Sequence, residues 1–144
     1  MTANSTILII DDDPDDRNLF AEALLEADGS FTCVQADCGD EALDLLQNVN
    51  VRLPLFIFLD LNMPRINGWQ CLSHLRKMER LKAVPIIIYT TTKSDEDEER
   101  AKSAGAAYFL TKPARFKELV HAIFFVVNKK WHRVPESNDL GNKK

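Results

Sequence analysis

At 144 residues with 45% hydrophobic content, the chain has room for one domain with its own core and is too short for two of ordinary size. A formal net charge of −4 excludes the broad basic field that holds nucleic acid nonspecifically. The three cysteines (Cys33, Cys38 and Cys71) lack CxxC spacing, the N-terminus lacks a signal-peptide layout, and no apolar run nears the roughly 20 residues needed to cross a bilayer. A reduced, cytoplasmic protein with no membrane contact is expected.

The first apolar run, residues 6–10, reads as a buried strand and runs into Asp11, Asp12 and Asp13. Asp13 then suits the N-cap of a helix with Pro14 at its first position, where a missing N–H costs nothing. Phe20, Ala23, Leu24 and Ala27 line the inner face of that helix. A second strand over residues 31–36 mixes Thr32 and Gln35 with apolar residues, as an edge strand does. The second helix starts near Asp40, with Ala42, Leu45, Leu46 and Val49 facing inward. A continuously apolar third strand over 55–59 ends at Asp60. The third helix starts near Trp69 and turns Leu72, Leu75 and Met78 inward, and the fourth strand, 85–90, ends at Thr90. Ser94 and Asp97 stand in capping-box spacing at the start of a fourth helix, whose acids Asp95, Glu96, Glu98 and Glu99 lie near its positive end and which stops at Gly105. A fifth strand over 107–110, at the other sheet edge, leads to Lys112. The last helix, 115–130, carries Phe116, Leu119, Val120, Ile123, Phe124, Phe125, Val126 and Val127, which leaves little polar face. Either a partner covers one side of it, through Phe124, Phe125, Val127 or Trp131, or these residues close the core. Residues 1–132 form the expected domain, and 133–144 lack periodicity and read as a flexible tail.

Apolar runs alternating with helical stretches predict an α/β fold with a five-stranded parallel sheet covered on both faces. Ligands of such sheets bind beyond the carboxyl ends of the strands, which makes each strand's last residue informative. An isolated aspartate there is more often a helix cap or loop acid. Here, however, neighbouring first and third strands would aim three carboxylates at one crevice. Two carboxylates about 4 Å apart repel by roughly 4 kcal/mol at an effective dielectric near 20, so the cluster requires a cation or raised pKa values. Oxygen ligands and the absence of histidine from the strand ends favour Mg²⁺ over zinc. The Thr90 hydroxyl and the Lys112 ammonium would complete a site for a phosphoryl group.

The segments ILIIDDDPDD, FIFLDLNMPRINGW, PIIIYTTT and GAAYFLTKP, in this order and spacing, resemble the receiver domains of two-component response regulators, the CheY-like superfamily, over about residues 6–128. The resemblance implies a flavodoxin-like, doubly wound sheet of order 2-1-3-4-5. It further implies Asp60 as phosphoacceptor, Asp12 as a direct Mg²⁺ ligand with Asp11 acting largely through water, and the Asn62 backbone carbonyl in the metal shell. Thr90 and Phe109 match the switch pair and Lys112 the site lysine, with a cis Lys112–Pro113 bond. The implied partner is a sensor histidine kinase or phosphotransfer protein, and the chain would promote only its own phosphorylation and dephosphorylation. A homodimer would use the face of the fourth helix, fifth strand and fifth helix. Asn62 and Thr92 stand where side chains tune hydrolysis, and the length and the DDDPDD start resemble stand-alone, phytochrome-associated regulators.

A haloacid-dehalogenase-type phosphatase is the rival, because Asp11 and Asp13 make its DxD spacing. It leaves Asp60 before LNMP unexplained, and there is no acidic pair beyond Lys112 and no room for a cap domain. A receiver-like module that binds a partner without phosphorylation is the second alternative, opposed by the intact acids, Thr90 and Lys112. Asp13 reads as a cap. His74, His121 and His132 read as surface residues, the cysteines as core or helix-face thiols, and Trp69 as either packing beneath the site loop or touching a partner.

Overall fold

The computed structural model describes residues 5–37, 39–63, 67–91 and 94–129. Cys38, Thr92, Trp131, His132 and the expected tail over 133–144 lie outside the described residues. Five strands, β1 (Thr6–Ile10), β2 (Thr32–Ala36), β3 (Phe56–Leu59), β4 (Ile86–Thr90) and β5 (Tyr108–Thr111), form one parallel sheet in the order β2-β1-β3-β4-β5. The expected α/β class, strand order and edge strands are all present. Five helices cross between and after them: α1 (Pro14–Ala27), α2 (Gly39–Gln47), α3 (Gly68–Lys77), α4 (Asp95–Ser103) and α5 (Phe116–Asn128). A 3₁₀ turn, Glu79–Leu81, precedes β4.

Side chains alternate across each strand, so the sheet divides the core into two layers. Leu8, Ile10, Ile57, Leu59, Ile86 and Ile88 pack under α2, α3 and α4 together with Ala42, Leu46, Leu72, Leu75 and Ala101. Ile7, Ile9, Phe58, Ile87 and Tyr89 face the other way, against Phe20, Ala23 and Leu24 of α1 and Leu119, Ile123 and Val126 of α5. Phe20, Phe58 and Tyr89 form an aromatic cluster there, with Phe20 and Phe58 ring centroids 4.7 Å apart.

The helix starts follow the local chemistry. The Asp13 carboxylate accepts the Asp15 N–H at 2.9 Å, with Pro14 opening α1, and the Ser94 hydroxyl accepts the Asp97 N–H at 3.2 Å at the start of α4. Gly105, at φ 105°, supplies the left-handed residue beyond α4. Val49 departs from expectation: it is 79% exposed, because α2 stops at Gln47 and the chain turns through Asn48, whose carbonyl accepts the Val51 N–H at 3.0 Å. Arg80 ends that helix by donating to the carbonyls of Leu46, Asn48 and Val51. The cis Lys112–Pro113 bond is also corrected, since no described peptide bond is cis. The trans form, intrinsically preferred by about 0.5–1 kcal/mol at proline, still lets the Lys112 N–H reach the Thr90 carbonyl at 2.7 Å.

Gly68 sets the distance between α3 and the end of β3. A Cβ at this position would lie 2.6 Å from the Leu61 carbonyl oxygen and closer still to the Leu61 Cα, so only glycine fits against that backbone. Gly68→Ala is expected to cost about 2 kcal/mol by overpacking, read as a lower urea midpoint. An unchanged midpoint would show that α3 can move away freely.

Candidate functional site

The β1–β3 register pairs Ile10 with Leu59, which leaves the next residues, Asp11 and Asp60, side by side at the carboxyl edge of the sheet. Their backbones stay in the ladder: the Asp60 N–H donates to the Ile10 carbonyl at 3.0 Å and the Asp11 N–H to the Ala36 carbonyl at 3.1 Å. Both residues are nearly inaccessible, at 1% for Asp11 and 6% for Asp60. The β4–β5 register pairs Thr90 with Thr111, which sets Lys112 just beyond the edge on the far side of the crevice.

The Lys112 ammonium closes the crevice. Its Nζ lies 2.7 Å from Asp11 Oδ2, 2.8 Å from Asp16 Oδ2 and 3.5 Å from Asp60 Oδ2, and 5.2 Å from the centre of the Tyr89 ring. Burial works against the charged ammonium, but its hydrogen bonds to Asp11 and Asp16 and the charge of Asp60 outweigh that and raise its pKa above the ordinary lysine value. Burial pushes the Asp11 carboxyl upward against the opposing pull of Lys112. The Asp11 Oδ1 accepts the Asp13 N–H at 2.9 Å and the Asp60 Oδ1 accepts the Asn62 N–H at 3.1 Å, so each carboxylate has one oxygen on backbone and the other toward Lys112.

Thr90 is fully buried, and its hydroxyl accepts from the Asn62 amide at 3.0 Å, which bridges the ends of β3 and β4. Phe109 is half-buried on β5 and packs against the core layer beneath α4. Asp12 is half-buried beside Asp11, and Asp13 is an exposed cap. Asp11, Asp60, Thr90, Lys112 and Asn62 are thus joined by direct contacts at one sheet edge.

The donors toward the crevice are oxygens, and two buried carboxylates share one cation. That chemistry fits a small, hard divalent ion, which keeps several waters and needs only one or two protein carboxylates. Among the described residues, no three of His, Cys, Asp and Glu form a group able to hold a metal by themselves.

The family model described as the response regulator receiver domain matches residues 7–124. This chain is a response regulator receiver domain. The receiver is 36% identical over 88 residues to the probable methanogenesis regulatory protein FilR2 of Methanothrix harundinacea, covering 59% of the receiver and 57% of that regulator's length. It superposes on the phosphorylated cyanobacterial phytochrome response regulator RcpA with a TM-score of 0.77 at 26% identity, over 86% of the receiver and 91% of RcpA. The Mn²⁺-bound form of response regulator Rcp1 gives a TM-score of 0.74 at 25% identity, over 85% and 91% of the two chains.

Two residues of the receiver's site were not assigned from sequence. Asp16 has no role in the strand-end pattern, although its place at the third position of a helix that starts at once after β1 turns it back over the crevice. Gly68 carried no signal, because its need is set by the Leu61 backbone. Trp69 is half-buried on the core layer with the Arg100 guanidinium 4.0 Å above its ring, which joins α3 to α4. Cys71 is buried, and burial pushes the half-buried Cys33 thiol up to about 11. His74 and His121 are exposed. No helix among the described residues is long and apolar enough to cross a membrane.

Proposed function

We propose that the receiver takes a phosphoryl group on Asp60 and passes the event to its α4–β5–α5 face. The observation that carries this is the pairing of a buried Asp60 carboxylate with a lysine ammonium 3.5 Å away, beside a hydroxyl fixed at the end of the next strand. Asp60 Oδ2 attacks the phosphorus of a donor, a phosphohistidine of a sensor kinase or phosphotransfer protein, in line with the leaving nitrogen. The P–N bond breaks as the O–P bond forms, and the leaving imidazole takes a proton. Lys112 and the Thr90 hydroxyl supply a charge and a hydrogen bond to the transferring oxygens. Asp11, Asp12, Asp60 and the Asn62 carbonyl would hold Mg²⁺, which neutralises the carboxylate cluster toward an incoming anion. Hydrolysis of the acyl phosphate by water returns the carboxylate.

The proposed switch uses the packing around Thr90. As Thr90 turns toward a phosphoryl oxygen, its bond to Asn62 is loosened and half-buried Phe109 moves into the space beside β4. Phe124 and Phe125, each 52% exposed on α5, offer an apolar surface, Phe125 lying beside Tyr108 of β5, while Val127 packs against the core layer. A second copy of the receiver is the proposed occupant. Small-angle scattering at high concentration is expected to show a dimer with Mg²⁺ and beryllofluoride that the Phe124→Asp, Phe125→Asp pair abolishes. A monomer under both conditions removes the dimer.

The site assignment is tested by incubation with acetyl phosphate and Mg²⁺, reductive trapping and peptide mapping. The adduct is expected on the peptide containing Asp60. An adduct on Asp11 would favour the phosphatase chemistry instead.

A further inference from the structure

The ammonium of Lys112 is shared unevenly. It has three N–H donors, and two of them lie at ordinary bonding distance from Asp11 (2.7 Å) and Asp16 (2.8 Å), while Asp60 is at the limit, 3.5 Å. The backbone that carries Asp16 is held in place. The Asp13 cap and Pro14 start α1, and Arg17 ties the same turn to the sheet by donating to the Asp11 carbonyl at 2.8 Å and to the Gln35 side chain at 3.1 Å. With that backbone fixed, moving the ammonium toward the end of β3 lengthens its bond to the Asp16 carboxylate. An anion on Asp60 can shorten its bond to the third donor only by drawing the ammonium closer, against the pull of Asp16.

We propose that Asp16 is a positioning residue that competes with Asp60, and with a phosphoryl oxygen on Asp60, for Lys112, and so sets how tightly the site holds a phosphoryl group. This rests on the reading of Asp60 as the acceptor. Asp15 is the natural control, because it carries the same charge one residue earlier, is exposed, and makes no ion pair among the described residues.

The experiment titrates beryllofluoride, with Mg²⁺ saturating, into the parent, Asp16→Asn, Asp16→Glu and Asp15→Asn proteins by calorimetry. Asp16→Asn is expected to bind about fivefold more tightly, the scale of a partly exposed charge pair. Asp15→Asn should match the parent, and Asp16→Glu should return affinity toward the parent value, which a purely structural role would not produce. Equal gains in Asp16→Asn and Asp15→Asn would reveal a general charge effect, and no gain in Asp16→Asn would show that Asp16 does not compete; either overturns the proposal while leaving Asp60 as acceptor. A parent protein that binds no beryllofluoride overturns the acceptor reading and this proposal together.

Discussion

Asp60→Asn is expected to remove all labelling by acetyl phosphate without unfolding the receiver. The amide keeps the shape of the carboxylate and can still accept the Asn62 N–H that now meets Asp60 Oδ1 at 3.1 Å, but it has no nucleophilic oxygen of useful basicity. Its effect on stability runs the other way. Asp11 and Asp60 are both buried and share one ammonium, and two such charges about 4 Å apart repel by roughly 4 kcal/mol before the lysine offsets them. Removing one charge leaves Lys112 still paired with Asp11 and Asp16. The urea midpoint of Asp60→Asn should therefore be no lower than that of the parent, and mass spectrometry of the trapped protein should show no adduct. Persistent adduct in Asp60→Asn moves the acceptor elsewhere, and a large fall in midpoint would mean that Asp60 is a structural acid.

Lys112→Ala has the opposite signature. It strips the cation from two buried carboxylates, and breaking a buried pair from one side costs about 3 kcal/mol, the low end of the usual range because water can enter an open crevice. The Tyr89 ring loses its cation as well. The loss should be large in metal-free buffer and mostly recovered in millimolar Mg²⁺, because a divalent ion held at these acids, as proposed, would replace the missing charge. Chemical denaturation with chelator and with Mg²⁺ measures both parts. Equal destabilisation in the two buffers would argue against a metal at these acids.

Much of this could be read from residues in order. Alternating apolar runs and helical stretches determine a covered parallel sheet, because a strand buried on both faces is almost wholly apolar and each crossover must bury a stripe. The cap at Asp13, the Ser94 capping bond and the stop at Gly105 are local chemistry that one turn of chain decides. Asp11, Asp60, Thr90 and Lys112 were legible because each ends or follows an apolar run. The failures lie where no local pattern decides. Val49 continues the apolar spacing of α2, but Arg80, more than thirty residues away, takes the last carbonyls and the helix ends first. The cis bond at Pro113 was implied by the resemblance and by no residue pattern of the chain, and the described bond is trans.

By itself, then, the sequence determined the class of the fold, the starts of its helices and the chemical identity of the groups at the strand ends. Those properties depend on hydrophobic period and on side chains within a few residues of one another. Only the tertiary structure decided which carboxylates Lys112 meets, that Asp16 is one of them, and that Gly68 must lack a side chain. The carboxylates that meet Lys112 depend on how β1, β3 and β5 line up across the sheet, far apart in the chain, where a shift of one residue would exchange one partner for another, and Gly68 on the approach of α3 to the Leu61 backbone.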